Sequence, residues 1–128
     1  MEPEMHVLSD APDPRGSSFS IPENRLPPDF VVRDAHVMTV QPGAVRGDHF
    51  HCAKREVFLV TYLDSWSLHW DGGSRDVYGQ GCAAILVPPL LSHAIRNSGR
   101  APLHVVALSD APYDPAQPDS HHRKVSSP

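Results

Sequence analysis

The stretch Gly43–Glu56, with the sequence GAVRGDHFHCAKRE, decides how the whole chain is interpreted. His49 and His51 are two residues apart, and in an extended strand residues i and i+2 face the same side. Glu56 follows five residues later, far enough for the chain to turn and bring a carboxylate back toward the imidazoles. Imidazole and carboxylate groups together form a partial ligand set for a divalent metal. The plain alternative is a half-buried strand that carries two histidines.

The rest of the chain is typical of short strands separated by turns. Fourteen prolines and eight glycines in 128 residues disfavour long helices. Phe30–Val40 alternates β-branched and polar residues and predicts a strand, which is followed by a turn at Pro42-Gly43 and a strand over Arg46–His51. Further strands are predicted at 56–63, 66–70, 75–78, 82–87, 93–97 and 103–109. This pattern predicts an all-β protein, an antiparallel sandwich or barrel.

Composition limits the possible partners. The length favours one domain, and a net charge of −4 without a run of Lys or Arg argues against nucleic acid. No apolar run reaches the roughly 18–20 residues that cross a bilayer, so we expect no membrane partner. The N-terminus lacks the charged and apolar regions of a signal peptide, so we expect a cytoplasmic protein. Cys52 and Cys82, without a C-x-x-C motif, favour free thiols over a disulfide.

A second histidine region, Pro88–Asn97, places His93 after a turn enforced by proline. With this region the chain resembles the cupin superfamily. The first cupin motif, G-x5-H-x-H-x(3,4)-E-x6-G, is matched by Gly43, His49, His51 and Glu56, with Leu63 at the final glycine. The second motif, G-x5-P-x-G-x2-H-x3-N, is matched by Pro88, His93 and Asn97, with Leu90 at the interior glycine and Gly81 one residue early.

The cupin resemblance implies a single-domain antiparallel jelly-roll β-barrel with His49, His51, Glu56 and His93 converging inside. Three imidazoles and one carboxylate suit a divalent transition metal, Zn, Fe, Ni or Mn, with positions left open for water or substrate. The alternative is a metal-free cupin in which the four groups hydrogen-bond one another. We expect the cupin domain to span 15–112, between an extended N-terminal arm (1–14) and a Pro- and His-containing C-terminal tail (113–128), with both arms short and proline-rich.

Two local features resemble cupins that act on nucleotide-linked deoxysugars. Val45–His51 is similar to 3,4-ketoisomerases and 3,5-epimerases, and Ser109–Pro115 is similar to the C-terminal cupin of capsular-sugar reductases. The resemblance implies an isomerase or epimerase that moves a proton next to a ketone on a nucleotide sugar or a similar biosynthetic intermediate. It also implies a homodimer. No reductase domain is present in these 128 residues, so we expect no reductase step.

Three further residues are candidates for catalysis. His36 and Tyr62 have strand parities compatible with the interior and could act as the base, while Arg46 could bind a phosphate or carboxylate bidentately. Each has a plainer alternative. His36 could be a satisfied barrel histidine, Tyr62 a packed core residue with a bonded hydroxyl, and Arg46 a solvated turn residue.

Other functions use the same four ligands. Cupin dioxygenases hold Fe(II) in such a site, and a polyketide-type cyclase or dehydratase would use the metal to polarise a carbonyl. A non-catalytic ligand-binding cupin is the alternative from a different class. We expect an enzyme with a small-molecule substrate rather than a binding module, and proton transfer rather than oxygenation, because of the sugar-cupin resemblance.

Overall fold

The protein, in a computed structural model that describes residues 1–127, consists of antiparallel strands with one short 3-10 turn at Glu23–Arg25. Pro128, the end of the predicted tail, lies outside the described residues. Within residues 1–127 no helix is long and apolar enough to cross a membrane. The strands are β1 Glu4–Val7, β2 Asp34–Val40, β3 Val45–Phe50, β4 Glu56–Tyr62, β5 Trp66–Trp70, β6 Gly73–Val77, β7 Gly81–Val87, β8 His93–Arg96, β9 Leu103–Ser109 and β10 His121–His122.

These strands form two five-stranded sheets. The first has the order β1-β7-β4-β9-β2 and the second has the order β10-β3-β8-β5-β6. Every pairing is antiparallel, and neighbours within a sheet are mostly distant in sequence, as in a jelly roll. The predicted all-β, single-domain jelly roll is confirmed.

The core lies between the two sheets and follows from the alternation of apolar residues along the strands. β4 and β9 each direct alternate side chains inward. The largest fully buried side chains include Trp66, Leu68, Ile85, Leu91 and Leu103. The polar cluster described below shares this interior with the core, and Phe58 and Ile95 belong to both surroundings.

β2 is shorter than its sequence pattern predicts. The alternation begins at Phe30, but the ladder between β2 and β9 runs only from the pair Asp34–Ser109 to the pair Val40–Leu103. Its partner strand ends at Ser109, so the last bond on this side is from the amide of Arg33 to the carbonyl of Ser109, at 2.8 Å, and the ladder goes no further. The amide of Phe30 instead closes a turn onto the carbonyl of Pro27, at 3.0 Å.

Both terminal segments add strands to the sheets. β1 pairs with β7, and Leu8, which follows it, packs with Cys82 and Ala84 in a small second cluster. At the other end, β10 pairs with β3. The boundaries at residues 15 and 112 stay predictions.

Candidate active site

A bulge in β3 sets the direction of the histidines. The pairing of β3 with β8 shifts between Gly47 and His49, where Asp48 takes a left-handed φ of +58°. Gly47 has φ +116°, and a Cβ there would lie 2.5 Å from the carbonyl oxygen of His93. Only glycine fits this close approach. The bulge brings His49 directly opposite His93 in the ladder.

The predicted ligands converge between the sheets. His49, His51 and His93 come from the β3–β8 side, and Glu56 comes from the start of β4 in the other sheet. One ligand atom from each of the four residues lies within 4.8 Å of the others. His51, Glu56 and His93 are buried, and His49 is half-buried. Oε1 of Glu56 lies 2.8 Å from Nε2 of His51 and 3.4 Å from Nε2 of His93.

The electrostatics of the cluster keep its carboxylate charged. Burial opposes the charge on Glu56, but the imidazoles of His51 and His93 outweigh it and hold the pKa of this carboxyl well below its usual range. Burial likewise opposes charge on His51, but the carboxylate of Glu56 raises the pKa of His51. For His49, burial and the imidazoles of His93 and His51 lower the pKa to about 4. A carboxylate and an uncharged imidazole are the forms that ligate metals.

The donor set fits a divalent transition metal. Nε2 of His51, Nε2 of His93 and Oε1 of Glu56 are buried, and no described residue gives them an aligned hydrogen bond. The opposite ring nitrogens are engaged, since Nδ1 of His93 donates to the carbonyl of Leu91 at 3.0 Å and Nδ1 of His51 donates to the carbonyl of Asp119. Such outer bonds fix the tautomer that leaves Nε2 available to an ion. Two ligands about 2.1 Å from one ion are at most about 4.2 Å apart, so the cluster needs only a small inward movement.

A cavity of about 550 Å³ opens onto the four ligands. This volume is within the range of about 300–1,000 Å³ that small-molecule sites occupy. Its wall is largely apolar, with Met38, Phe58 and Ile95 among the lining residues. A few polar groups project into it beside the ligand cluster, which is the arrangement expected of a site that binds and orients one organic molecule.

Two of the three predicted catalytic residues line this cavity. His36 lies on its wall, with Nδ1 at 3.7 Å from Oδ2 of Asp34. Arg46 also lines it and donates from Nε to the carbonyl of Thr39 at 2.8 Å. Among residues 1–127 the guanidinium makes no other hydrogen bond, so its two terminal nitrogens are available to an anion.

Tyr62 lies elsewhere. Its side chain is buried in the core against Trp66, with ring centroids 5.5 Å apart, and is not among the described residues that line the cavity. Tyr62 has the inward parity of Glu56, as predicted, but is six residues further along β4. At about 3.3 Å per residue this separates the two by about 20 Å. Strand parity correctly predicted that Tyr62 faces the interior, but parity carries no information on how far along β4 the residue lies from Glu56.

Several cavity residues have no counterpart among the sequence predictions. Lys54 brings a second positive charge, and Tyr113 faces His36 with ring centroids 6.2 Å apart. Pro118 and Ser120 complete the wall, and Asp119 between them bonds His51. Apart from Lys54, these residues belong to the C-terminal segment, which carries no strand pattern or metal motif that could have indicated its place beside the site.

Two leucines stand where the cupin motifs have glycine, and their backbone conformations differ. Leu90 stands at the interior glycine of the second motif and still adopts the left-handed backbone, with φ +71°. Its amide donates to the carbonyl of His51 at 2.6 Å, which ties the turn before His93 to the first motif. Leu63 stands at the last glycine of the first motif and does not have a positive φ. The turn geometry that supports His93 is therefore kept without its glycine.

The jelly roll and the three-histidine, one-glutamate cluster define a cupin. The chain belongs to the family of the polysaccharide biosynthesis C-terminal domain, whose model matches residues 13–121. A search of curated proteins gives no match.

Solved structures share the fold over most of the chain. The capsular polysaccharide assembling protein CapF from Staphylococcus aureus matches with a TM-score of 0.63 and 25% identity, over 94% of this chain and 33% of that one. The chain thus spans about a third of the length of CapF. A dTDP sugar isomerase from Desulfovibrio desulfuricans matches with a TM-score of 0.75 and 14% identity, over 98% and 85% of the two chains. A variant of a 3,4-ketoisomerase from Thermoanaerobacterium thermosaccharolyticum, in complex with TDP-4-keto-6-deoxyglucose, matches with a TM-score of 0.65 and 16% identity, over 92% and 85%.

Proposed function

We propose that this cupin is a metal-dependent isomerase or epimerase that moves a proton next to the ketone of a nucleotide-linked sugar or a similar intermediate. One observation carries the proposal, namely that a four-ligand cluster, a histidine and a guanidinium whose two terminal nitrogens bond no described residue all face one cavity. The structural likeness to CapF and to nucleotide-sugar isomerases supports the substrate class.

His49, His51, Glu56 and His93 would hold the metal, one of Zn, Fe, Ni and Mn. When bound, a divalent cation in this cluster would stabilise negative charge that develops on the ketone oxygen of the substrate. The apolar wall formed by Met38, Phe58 and Ile95 would limit water around the reacting carbon of a bound substrate and strengthen that electrostatic effect.

The proton transfer falls to His36. Its imidazole lies on the cavity wall and can accept the proton from the carbon beside the ketone. The carboxylate of Asp34 lies 3.7 Å from Nδ1 of this ring. Tyr113, whose ring centroid lies 6.2 Å from that of His36, would return a proton. Arg46 and Lys54 would bind the diphosphate of a nucleotide sugar, Arg46 with its two terminal nitrogens.

Deuterium uptake from solvent tests this reaction type. Protein purified without chelator is mixed in D₂O with a panel of nucleotide-linked 4-keto-6-deoxyhexoses, and mass spectrometry and NMR follow the C–H positions beside the ketone. We expect enzyme-dependent deuterium at one of these carbons, together with an epimer or a shifted ketone. Oxygen consumption by the iron-loaded protein without deuterium uptake would favour the dioxygenase instead.

We also propose that the chain forms a homodimer. Val31, Val32 and Val37, in or just before the edge strand β2, are 60%, 51% and 83% exposed. Exposed apolar side chains beside an unpaired strand edge are typical of an interface. Light scattering coupled to size exclusion would give twice the mass of one chain, and a monomer at micromolar concentration would contradict the proposal.

A further inference from the structure

Asp119 joins the C-terminal segment to His51 by two kinds of contact. Its carboxylate accepts hydrogen bonds from the backbone N–H groups of Cys52 and Ala53, both at 2.8 Å. Its backbone carbonyl accepts from Nδ1 of His51. A single residue therefore holds both the ring of His51 and the backbone that follows it.

The carbonyl contact fixes how His51 presents itself to the cluster. A carbonyl can only accept, so Nδ1 of His51 must carry a hydrogen, and Nε2 is the nitrogen that faces Glu56. His93 obtains the same arrangement locally, from Leu91 two residues away. His51 obtains it from a residue 68 positions later in the chain. The orientation of this one ligand thus depends on where the C-terminal segment docks.

Other contacts hold that segment in place on the far side of Asp119. The carboxylate of Asp48 accepts from the amides of Val125 and Ser126, both at 2.9 Å, and from the hydroxyl of Ser126 at 2.8 Å. Arg123 pairs with Asp71 at 2.6 Å. Loss of the Asp119 carboxylate alone would therefore leave the segment docked and release only the part of it next to His51.

We propose that Asp119 is a positioning residue, which orients His51 for metal binding and is supplied by the C-terminal segment outside both histidine motifs. The metal part of this assignment rests on the proposed function, whereas the effect on the His51 ring does not. Tyr113, Pro118 and Ser120 of the same segment line the cavity, so the segment contributes both a wall and a ligand support.

The test compares Asp119→Ala and the milder Asp119→Asn with the full-length wild type. Asp114→Ala is the matched control, because Asp114 lies in the same segment and its carboxylate also caps a backbone amide, that of Ala116 at 2.9 Å, away from the cavity. NMR follows the hydrogen on Nδ1 of His51, which the carbonyl of Asp119 protects from exchange, with the Nδ1 hydrogen of His93 as the internal reference. Chelator competition measures the affinity for Zn²⁺ alone.

We expect Asp119→Ala to lose the Nδ1–H signal of His51, to keep that of His93, and to bind Zn²⁺ about 10- to 100-fold more weakly. Asp119→Asn should give a His51 signal and a Zn²⁺ affinity between those of Asp119→Ala and the wild type, since its amide oxygen can replace only one of the two carboxylate acceptors. Asp114→Ala should match the wild type in both measurements. An unchanged His51 signal and affinity in Asp119→Ala would overturn the inference. If the wild type takes up none of Zn, Fe, Ni and Mn, the proposed function fails, and the His51 signal still decides whether Asp119 positions this ring.

Discussion

Glu56 is one buried carboxylate that two imidazoles, those of His51 and His93, share. Removing one partner of a buried charge typically costs about 3–5 kcal/mol, because the other charge is left without compensation. Loss of any one of these imidazoles would therefore destabilise the folded protein, because the buried charge of Glu56 would be left partly uncompensated. A cation among the four groups would replace the repulsion between the imidazoles with attraction to every ligand.

A variant of His36 can distinguish proton transfer from metal binding. His36→Ala should lower deuterium uptake about 10²- to 10⁴-fold, the usual contribution of a positioned base. The metal content should stay unchanged, because His36 is not part of the ligand cluster. Rates from mass spectrometry and metal content from elemental analysis check both statements. The control is His104→Ala, since His104 is exposed on β9 and lies outside the cavity. Wild-type uptake in His36→Ala would remove His36 as the base.

At the scale of elements, the turn before β8 supports the site with a strained residue. A left-handed backbone costs a non-glycine residue roughly 1–2 kcal/mol, and Leu90 adopts one with 53% of its surface exposed. Glycine would remove that strain and cost about 0.5–1 kcal/mol in added freedom of the unfolded chain. Leu90→Gly should therefore stabilise the protein by about 0.5–1 kcal/mol in urea unfolding.

Leu63→Gly is the control for this change. Leu63 is also exposed and also occupies a cupin-motif glycine, but its φ is not positive. Glycine there brings only the entropic cost, so the variant should be destabilised by about 0.5–1 kcal/mol. Equal destabilisation by both variants would show that the turn at Leu90 is not strained.

The docking of the C-terminal segment should make stability depend on pH through Asp71. Burial opposes its charge, but the amide of Ser92 and the guanidinium of Arg123 outweigh it and lower the pKa of Asp71 below its ordinary value. A carboxyl with a lowered folded-state pKa contributes stability above its unfolded pKa of about 3.9, and this contribution is lost as pH falls through the folded value.

Asp71→Asn should therefore lose less stability than the wild type when the pH is lowered from about 5 to about 2.5. Urea unfolding at several pH values measures this slope. Asp76→Asn is a suitable control, because Asp76 lies on the exposed strand β6 and makes no side-chain hydrogen bond among the described residues. If Asp71→Asn and the wild type lose stability in parallel, the ion pair does not hold the segment.

At the scale of the whole molecule, the sheets bring together residues from three separate parts of the chain. The convergence of the four proposed ligands could be predicted from sequence because His49, His51 and Glu56 are local, and His93 lies in its own motif. The place of His36 on the cavity wall could be predicted from strand parity, and that of Arg46 from its position beside the two histidines of the first motif. The places of Tyr113 and Asp119 could not, because they depend on a tail that docks through side chains and a two-residue strand rather than through a periodic pattern.

The central claim, that the four ligands hold a catalytic metal, is tested most directly by the metal content of protein purified without chelator. Elemental analysis should find about one divalent transition metal per chain in the wild type and in His104→Ala, and little in His49→Ala and His93→Ala. Circular dichroism should show that all four proteins are folded. A wild type that is folded and free of metal, and that stays so after exposure to Zn, Fe, Ni and Mn, would contradict the account.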